Sequence, residues 1–549
     1  MQPTRFLYPQ AAAAADISAS AATVQAPLAR AIATHALLLG VAADLLVRDA
    51  SAGIGIPLWF ALVAVVFTSL TWRNQRDVPR EGATWLLIAV FVSFGLAWRD
   101  SEVLQVLDML AAIGSLGMAA IASGDPRAAL LAERFRETVW AAVGVLRRVA
   151  TGFAPLVLTE VLATGVRGRW ASRLLPGLRA ACIGGTLLIV FGSLLRGADP
   201  IFASLVELPQ FDAGLVISHA LFIGVFCWLT SGWALAALGP ELRTLRAPSS
   251  LPIGLSALDI NAALGTLNVL FAAFVLSQLG WFFGGEAFLH ARTGLTAAQY
   301  ARQGFFEMVW VVLLVVPLLV ATRALLRPGS GLERRHTMLS MPLVTLLGAI
   351  ILSASMRMQL YVHYYGLTVD RFYPMVFMGW LGLVIAWLAA TVLRGRGRTF
   401  IAGVAVSGLA VLATLNAVAP DVIVARYNIE RALHAIAPAS AVPDLQHMSA
   451  LSGEAVELTT QAILAPPAAV EGTALRQDED RMRCAAAQTL LRHWGPTSAS
   501  AVRRDAEGSW RSWNAGESRA LRAVAAHSAD LRTVQHQSCA AVPRTDRHR

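Results

Sequence analysis

The chain has 549 residues, of which 56% are hydrophobic and only 15% are charged, and its mean hydropathy is +0.57. A soluble domain carries about a quarter charged residues, so this composition excludes a single water-soluble domain and a disordered chain. All 45 basic residues are arginine, which excludes chemistry that needs a lysine amine, such as a phosphate-loop lysine or a Schiff base.

Apolar stretches of about 20 residues, the length that crosses the hydrocarbon of a bilayer, recur along the chain. Eleven are predicted to be membrane spans: 28–47, 54–72, 83–98, 103–122, 179–195, 214–238, 258–284, 305–326, 339–356, 374–393 and 400–418. The first is rich in alanine, and the third is short.

The arginines are distributed unevenly between the two sides of these spans. With the N-terminus inside, the inner segments carry 23 arginines and the outer loops carry 7. This bias follows the positive-inside rule and predicts a cytoplasmic N-terminus and an extracytoplasmic C-terminus. A twelfth span at 149–166 would invert the later topology, but arginines on both flanks favour amphipathic helices on the inner surface.

Composition divides the chain into five parts of an all-α protein, a polytopic transmembrane bundle with a small C-terminal α-helical domain outside the membrane. The parts are a flexible tail (1–26), four spans (27–122), an amphipathic cytoplasmic-surface segment (123–178), seven spans (179–419) and the helical extramembrane domain (420–549). Cys484 and Cys539 both fall in the last part, where an oxidising compartment would permit a disulfide; two free thiols are the alternative.

Unusual polar residues gather on the predicted outer side, in the segments 294–307, 357–373 and 416–431. Glu307 begins an apolar run at the membrane interface, where a carboxylate is costly and a partner such as Arg302 or Arg357 is expected. The alternative is a structural ion pair. The candidate ligand-binding residues are Tyr300, Arg302, Glu307, Arg357, Tyr361, His363, Asp370, Arg371 and Arg426.

Two features of this candidate cluster have simpler explanations. Tyrosine is enriched at membrane interfaces in general, so the tyrosines alone do not indicate a ligand. His363 has no second histidine at ligand spacing, so no metal site is predicted. The sequence indicates no cofactor.

The seventh span is the most polar and contains Asn261, Asn268 and Gln278. Hydrogen bonding between helices is the default role of such residues. A transport pathway would need polar groups near the midplane of several helices and is not favoured.

Signatures of soluble enzymes are absent, including a phosphate loop, a dinucleotide fingerprint and paired-cysteine zinc ligands. The sequence Leu451-Ser452-Gly453 does not supply a nucleophile elbow. No catalytic residue can be named.

Several motifs that occur in order resemble a known family. They are Asn268–Phe274 with Gln278–Gly285, Leu295–Thr296 with Tyr300–Glu307, Leu360–Tyr361 with Tyr365–Thr368, and Ala425–Asn428. Over roughly 70–435, the chain is similar to a bacterial polytopic membrane family catalogued as domain of unknown function 4173. The resemblance implies a bacterial inner-membrane protein with no established activity and transfers no catalytic residue.

The sequence therefore favours a non-enzymatic membrane protein whose outward face binds a partner, a lipid or an envelope component. The expected partners are membrane lipids and an envelope protein or lipid-linked molecule, and not nucleic acid, because the arginines are explained by topology and lipid head groups. A transferase with a lipid-linked donor is one alternative, since an outward carboxylate and arginines could activate and hold it. A transporter is the other.

Overall fold

The protein is described from a computed structural model of the full chain. The described residues are 26–75, 78–124, 135–153, 184, 213–239, 256–293, 305–326, 331–395, 399–434, 443–466, 473–498 and 510–541, and between 278 and 309 only the backbone is described. Within these ranges all regular secondary structure is helical, so the predicted all-α polytopic class is confirmed.

The first half of the bundle contains long apolar helices and one helix with a clear polar face. Its helices are α1 (Ala26–Leu46), α2 (Gly55–Arg73), α3 (Arg80–Ser93), α4 (Gly95–Trp98), α5 (Glu102–Gly124), α6 (Phe135–Thr151) and α7 (Ala213–Leu238). Helix α6 is the amphipathic one, and Ala141 and Val145 pack into the same core as α1, α5 and α7.

The second half has its own apolar core, built from α8 to α12. These helices are α8 (Ala257–Thr293), α9 (Phe305–Ala324), α10 (Leu332–Tyr365), α11 (Val369–Ala390) and α12 (Phe400–Val418). Leu412 and Leu415 of α12 pack against Leu104 of α5 and so join the two halves.

Nine helical segments of the described residues are long and apolar enough to cross a membrane. They are Leu28–Leu46, Gly55–Arg73, Arg80–Trp98, Glu102–Gly124, Gly214–Leu238, Ala257–Ser277, Leu332–Tyr365, Val369–Ala390 and Phe400–Val418. Many large apolar side chains on them are exposed, which fits helices surrounded by lipid.

Two predicted spans are not among these nine. The stretch 179–195, apart from residue 184, lies outside the described residues, as does most of 149–166, where the alternative twelfth span would be. The stretch 305–326 is the apolar helix α9, within which Trp310–Arg323 falls in the shorter class.

The chain leaves the bundle through a sharp turn into a helical C-terminal domain. Ala419 has a positive φ of 53°, which ends α12, and Pro420 occupies the first turn of α13, where its missing N–H costs nothing. The domain comprises α13 (Pro420–Leu433), α14 (Leu445–Ser449), α15 (Val456–Leu464), α16 (Thr473–Trp494), α17 (Ala515–Ala526) and α18 (Ser528–Ala541), with short 3-10 turns at Gly453–Ala455 and Trp510–Ser512.

The C-terminal domain has an apolar core, which Val362 and Leu367 at the end of α10 join, and one covalent cross-link. Leu490 of α16, Val524 of α17 and Leu531 of α18 are fully buried in this core. A disulfide joins Cys484 to Cys539 and so ties α16 to α18. Of the two states left open by the sequence, the structure has the bridged one.

Candidate functional site

A cavity of about 940 Å³ lies where the C-terminal domain meets one end of the bundle, and we call it the junction cavity. Its charged and imidazole side chains are Asp100, Glu102, Asp421, Glu517, His447 and His493, and its aromatic side chains are Trp494, Trp510 and Trp513. Within the described part of the chain, the four acids outnumber the two histidines, and no arginine lines this cavity.

Asn514 fixes the domain against the bundle. Its side-chain oxygen caps α17 by accepting from the Gly516 and Glu517 amides, at 2.8 and 3.1 Å. Its side-chain amide donates to the backbone oxygens of Leu96 and Arg99, at 3.0 and 2.8 Å. One buried asparagine therefore satisfies groups on both sides of the contact.

Gly516, at the start of α17, allows this helix to lie close to the loop between α4 and α5 and to the turn before α15. A Cβ atom at Gly516 would lie 2.6 Å from Oε1 of Glu454 and 2.9 Å from Cβ of Asp100. The loop between α4 and α5 and the turn before α15 therefore meet at a distance that only glycine permits.

Carboxyl groups from three distant segments share hydrogen bonds at this contact, and we call Asp100, Asp421, Ser452 and Glu454 the junction cluster. Glu454 accepts from the Asp100 amide at 2.7 Å, and Asp100 accepts from the Gly453 amide at 3.0 Å. The Ser452 hydroxyl lies 2.6 Å from Oε2 of Glu454 and also within hydrogen-bond distance of Oδ2 of Asp421.

The Ser452 hydroxyl is shared between two acids of the junction cluster. A hydroxyl has one hydrogen and can donate it to only one acceptor. Ser452 contacts two carboxyl oxygens, so it donates to Asp421 or to Glu454 at any one time.

Burial favours protonation of two of these acids. Loss of solvation raises the pKa of Asp100 to about 7; the Gly453 amide opposes this rise, and the acids Glu454, Glu517 and Asp421 add to it. Burial likewise raises the pKa of Asp421, against the opposing hydrogen bond of Ser452 and with the help of Glu454. Asp100 therefore changes charge near neutral pH.

Asp421 has one buried oxygen besides the one that contacts Ser452. The residue is only 4% exposed, yet it lines the junction cavity. Its Oδ1 has no hydrogen-bond partner among the described residues, and the nearby Ser101 hydroxyl, which contacts the Tyr373 hydroxyl at 3.3 Å, lowers the pKa of Asp421. A buried acceptor of this kind is costly unless a donor from outside the chain completes it.

Arg99 is adjacent to the junction cluster, but its guanidinium is committed to the bundle. Its Nε donates to the backbone oxygen of Asn416 at 2.7 Å, and its Nη2 donates to that of Ala417 at 3.2 Å. These are carbonyls of the last turn of α12, which have no partner inside the helix. Arg99 thus caps α12 and is not a cation for the cavity.

A second space lies beside the first, among the membrane helices, and we call it the membrane groove. It measures about 490 Å³ and lies between α5, α11 and α12. Its lining is almost wholly apolar: Val103, Leu107, Ala111, Tyr373, Pro374, Val376, Phe377, Trp380, Gly408, Val411, Leu412 and Leu415.

Two residues predicted from the second sequence segment, Tyr361 and Arg371, meet near the corner between α10, α11 and α13. The Arg371 guanidinium lies 4.2 Å from the centre of the Tyr361 ring and 5.9 Å from that of Tyr365. Arg371 also donates to the backbone oxygen of Tyr365 at 3.1 Å and to that of Gly366. We call Tyr361, Tyr365 and Arg371 the aromatic corner.

The backbone at this corner is held by Asn428 of α13. Asn428 accepts from the Leu367 amide at 3.0 Å and donates to the Leu367 oxygen at 2.6 Å. Gly366 has a positive φ of 79°, and a Cβ there would lie 2.6 Å from Oδ1 of Asn428, so this turn needs glycine. The corner is a helix-joining device whose polar groups are paired internally.

Other predicted site residues lie apart from one another. His363, Asp370 and Arg426 are exposed, and Arg426 forms a surface ion pair with Glu430 at 3.1 Å. Arg357 is buried within α10. Tyr300 and Arg302 lie outside the described residues, as does the side chain of Glu307, so their expected grouping stays a prediction.

In the polar span α8, Asn268 donates to the Leu264 oxygen of its own helix and to the Leu339 oxygen of α10, both at 2.8 Å. These are structural hydrogen bonds between helices. Asn261 is half-buried on the same helix, and the side chain of Gln278 lies outside the described residues.

Reading the sequence did not select the residues of the junction cluster. Asp100 stands in a three-residue loop between two spans, and Asp421 follows the proline that ends the last span, so each acid is next to a membrane boundary. This position beside a membrane boundary is the feature of the sequence that could have indicated the two acids. Ser452 and Glu454 belong to a soluble segment and carry no local signal.

The comparisons with known proteins give one positive result. The model of a domain of unknown function, DUF4153, matches residues 82–462. Neither the curated proteins nor the solved structures include a match. The resemblance noted from the motifs is thus confirmed at the level of an uncharacterised family, and not for family 4173 in particular. Because the match covers more than half of the chain, the protein belongs to the DUF4153 family.

Proposed function

We propose that the protein binds an amine-bearing component of the bacterial envelope in the junction cavity, on the outward side of the inner membrane, and that it acts by binding and not by catalysis. The observation that carries the proposal is Asp421: a buried carboxyl that lines the cavity and has an unsatisfied oxygen among the described residues. An ammonium group supplies hydrogen-bond donors and a compensating positive charge.

The rest of the lining favours the same kind of ligand. Three tryptophans line the cavity together with four acids, and tryptophan is the best aromatic partner for a cation. A phosphate-linked donor would need cationic groups, and no arginine lines the cavity among the residues that the structure describes. This charge balance favours binding of a cation over the transferase alternative.

Two independent observations support the outward placement. The arginine distribution places the loops before α2 and between α4 and α5 on the outer side, and the C-terminal domain contacts both, through Trp513 with Ile54 and through Asn514 with Arg99. The Cys484–Cys539 disulfide is typical of an oxidising compartment such as the periplasm. The cytoplasmic N-terminus belongs to the same proposal.

Ethanolamine tests the proposal, with glycerol as a neutral polyol of similar size. The full chain is placed in nanodiscs at pH 8, and binding is followed by saturation-transfer NMR. We expect saturable ethanolamine signals in the wild type and none in Asp421→Asn, which loses the negative charge. The matched control is Asp530→Asn, an exposed acid of the same domain.

Each outcome is informative. Equal signals from glycerol and ethanolamine would exclude recognition of the ammonium group. Unchanged ethanolamine binding in Asp421→Asn would exclude the junction cavity as the site. A thermal melt of each variant shows whether a lost signal reflects lost folding.

A further inference from the structure

The membrane groove needs an occupant of its own. Its residues are carried by α5, α11 and α12, three helices of spanning length, and most of them are half-buried, so the groove opens beside the lipid. The one indole N–H there is satisfied, since Trp380 donates to Ser407 at 3.1 Å. The groove therefore offers hydrocarbon contact and almost no polar contact.

The groove and the junction cavity are neighbours that share a wall. Val103 of α5 lines both spaces. Val369 lines the cavity, and Tyr373, one turn later on α11, lines the groove. The Tyr373 hydroxyl is hydrogen-bonded to Ser101 of the cavity. A polar chamber outside the membrane thus meets an apolar channel within it at Val103 and Tyr373.

We infer that one molecule fills both spaces: an amphiphile whose ammonium head group lies in the junction cavity and whose hydrocarbon chain lies in the membrane groove. This inference rests on the proposed function and names the class of ligand. The apolar and acidic-aromatic halves of the site match the two halves of such a molecule, and their order across the membrane boundary matches its orientation in a bilayer.

The two parts of the site can be separated by two kinds of variant. Gly408→Leu fills the groove, because a Cβ at Gly408 meets the Trp380 ring at 3.5 Å, an ordinary contact distance. Gly382→Leu on α11 is the matched control: it makes the same substitution where nothing lies within 4 Å of the added Cβ. Val411→Phe is a second groove variant. Asp421→Asn changes the head-group cavity.

The probes are radiolabelled n-dodecylamine, which has both head and chain, and ethanolamine, which has the head alone. Binding to the full chain is measured in phosphatidylglycerol nanodiscs, with empty discs subtracted and ethanolamine used as competitor. Burial of even four methylene groups predicts that n-dodecylamine binds at least about a hundredfold more tightly than ethanolamine.

The variants should separate head from chain. A leucine side chain that displaces about two methylene groups should weaken n-dodecylamine binding about tenfold in Gly408→Leu, with a similar loss in Val411→Phe. Gly382→Leu should bind like the wild type, and ethanolamine binding should not change in any groove variant. Asp421→Asn should weaken both probes.

The two possible failures differ. If both groove variants bind n-dodecylamine as Gly382→Leu does, while Asp421→Asn weakens both probes, the chain lies elsewhere and the head-group proposal survives. If Asp421→Asn weakens neither probe, the proposed function fails together with this inference.

Discussion

The C-terminal domain meets the bundle at the junction cluster and, through Asn428, beside the aromatic corner, and the two regions differ in how their polar groups are paired. At the aromatic corner, the Arg371 charge is stacked on Tyr361, and its donors reach nearby carbonyls. At the junction cluster, acids from distant segments are buried beside a cavity, and Asp421 retains an unsatisfied oxygen among the described residues. A satisfied cluster is explained by stability, whereas the incomplete one beside a cavity is where we propose a ligand.

The comparison predicts that losing an asparagine at the junction destabilises the protein more than losing one beside the aromatic corner. Asn514→Ala removes the cap of α17, leaves the Leu96 carbonyl without this donor and leaves the Arg99 carbonyl with Gln105 alone, at a cost of about 3 kcal/mol. Asn428→Ala removes one pair of hydrogen bonds to Leu367, at a cost of about 1–2 kcal/mol. Hydrogen exchange of Ala515–Ala526 in the full chain measures the first loss.

The matched substitution makes this prediction sharp. Since both variants replace an asparagine that bridges the domain to the bundle, a larger loss in Asn428→Ala would reverse the proposed order of the two contacts.

A second prediction concerns pH. We call the C-terminal domain docked when it contacts the bundle and open when it does not. Burial raises the pKa of Asp100 from its ordinary value of 3.8 to about 7, so at pH values between these two the docked state binds more protons than the open state. Docking therefore weakens as pH rises from about 4 to about 7 and stays at its weaker level above that. Between pH 5 and pH 8, the loss from Asp100 amounts to about 3 kcal/mol.

Asp100→Asn isolates this contribution. An amide oxygen can still accept from the Gly453 amide but carries no charge, so the variant should exchange α17 amides more slowly than the wild type at pH 8 and depend less on pH. Asp530→Asn should leave the pH profile unchanged. If docking in the wild type became stronger towards pH 8, the assigned protonation of Asp100 would be wrong.

Features that depend on residues close together in the sequence could be predicted, and features that depend on distant residues could not. Hydrophobic runs reveal spans because crossing a bilayer needs about 20 local apolar residues, so most helices were located well. The aromatic corner was also visible in part, because Tyr361, Tyr365 and Arg371 belong to one short segment. The pairing of Asn428 with Leu367, across two segments, was not.

The junction cluster could not be predicted in the same way. Asp100 and Glu454 are more than 350 positions apart, and only the folded chain brings the amide of one to the carboxyl of the other. The sequence around Ser452 contains no catalytic motif, whereas in the folded chain its hydroxyl lies between two carboxyl groups. Such a site depends on tertiary contacts, which no local pattern records.

The smallest expected effect tests whether the aromatic corner belongs to the binding site at all. Arg371→Lys keeps the positive charge but loses the flat guanidinium that stacks on Tyr361 and reaches the Tyr365 carbonyl, at a cost of about 1 kcal/mol. Ethanolamine affinity should not change, because Arg371 is not among the residues that line the junction cavity. If Arg371→Lys weakened ethanolamine binding as much as Asp421→Asn, the two clusters would form one site, and the cation would be recognised by a surface that also includes the corner.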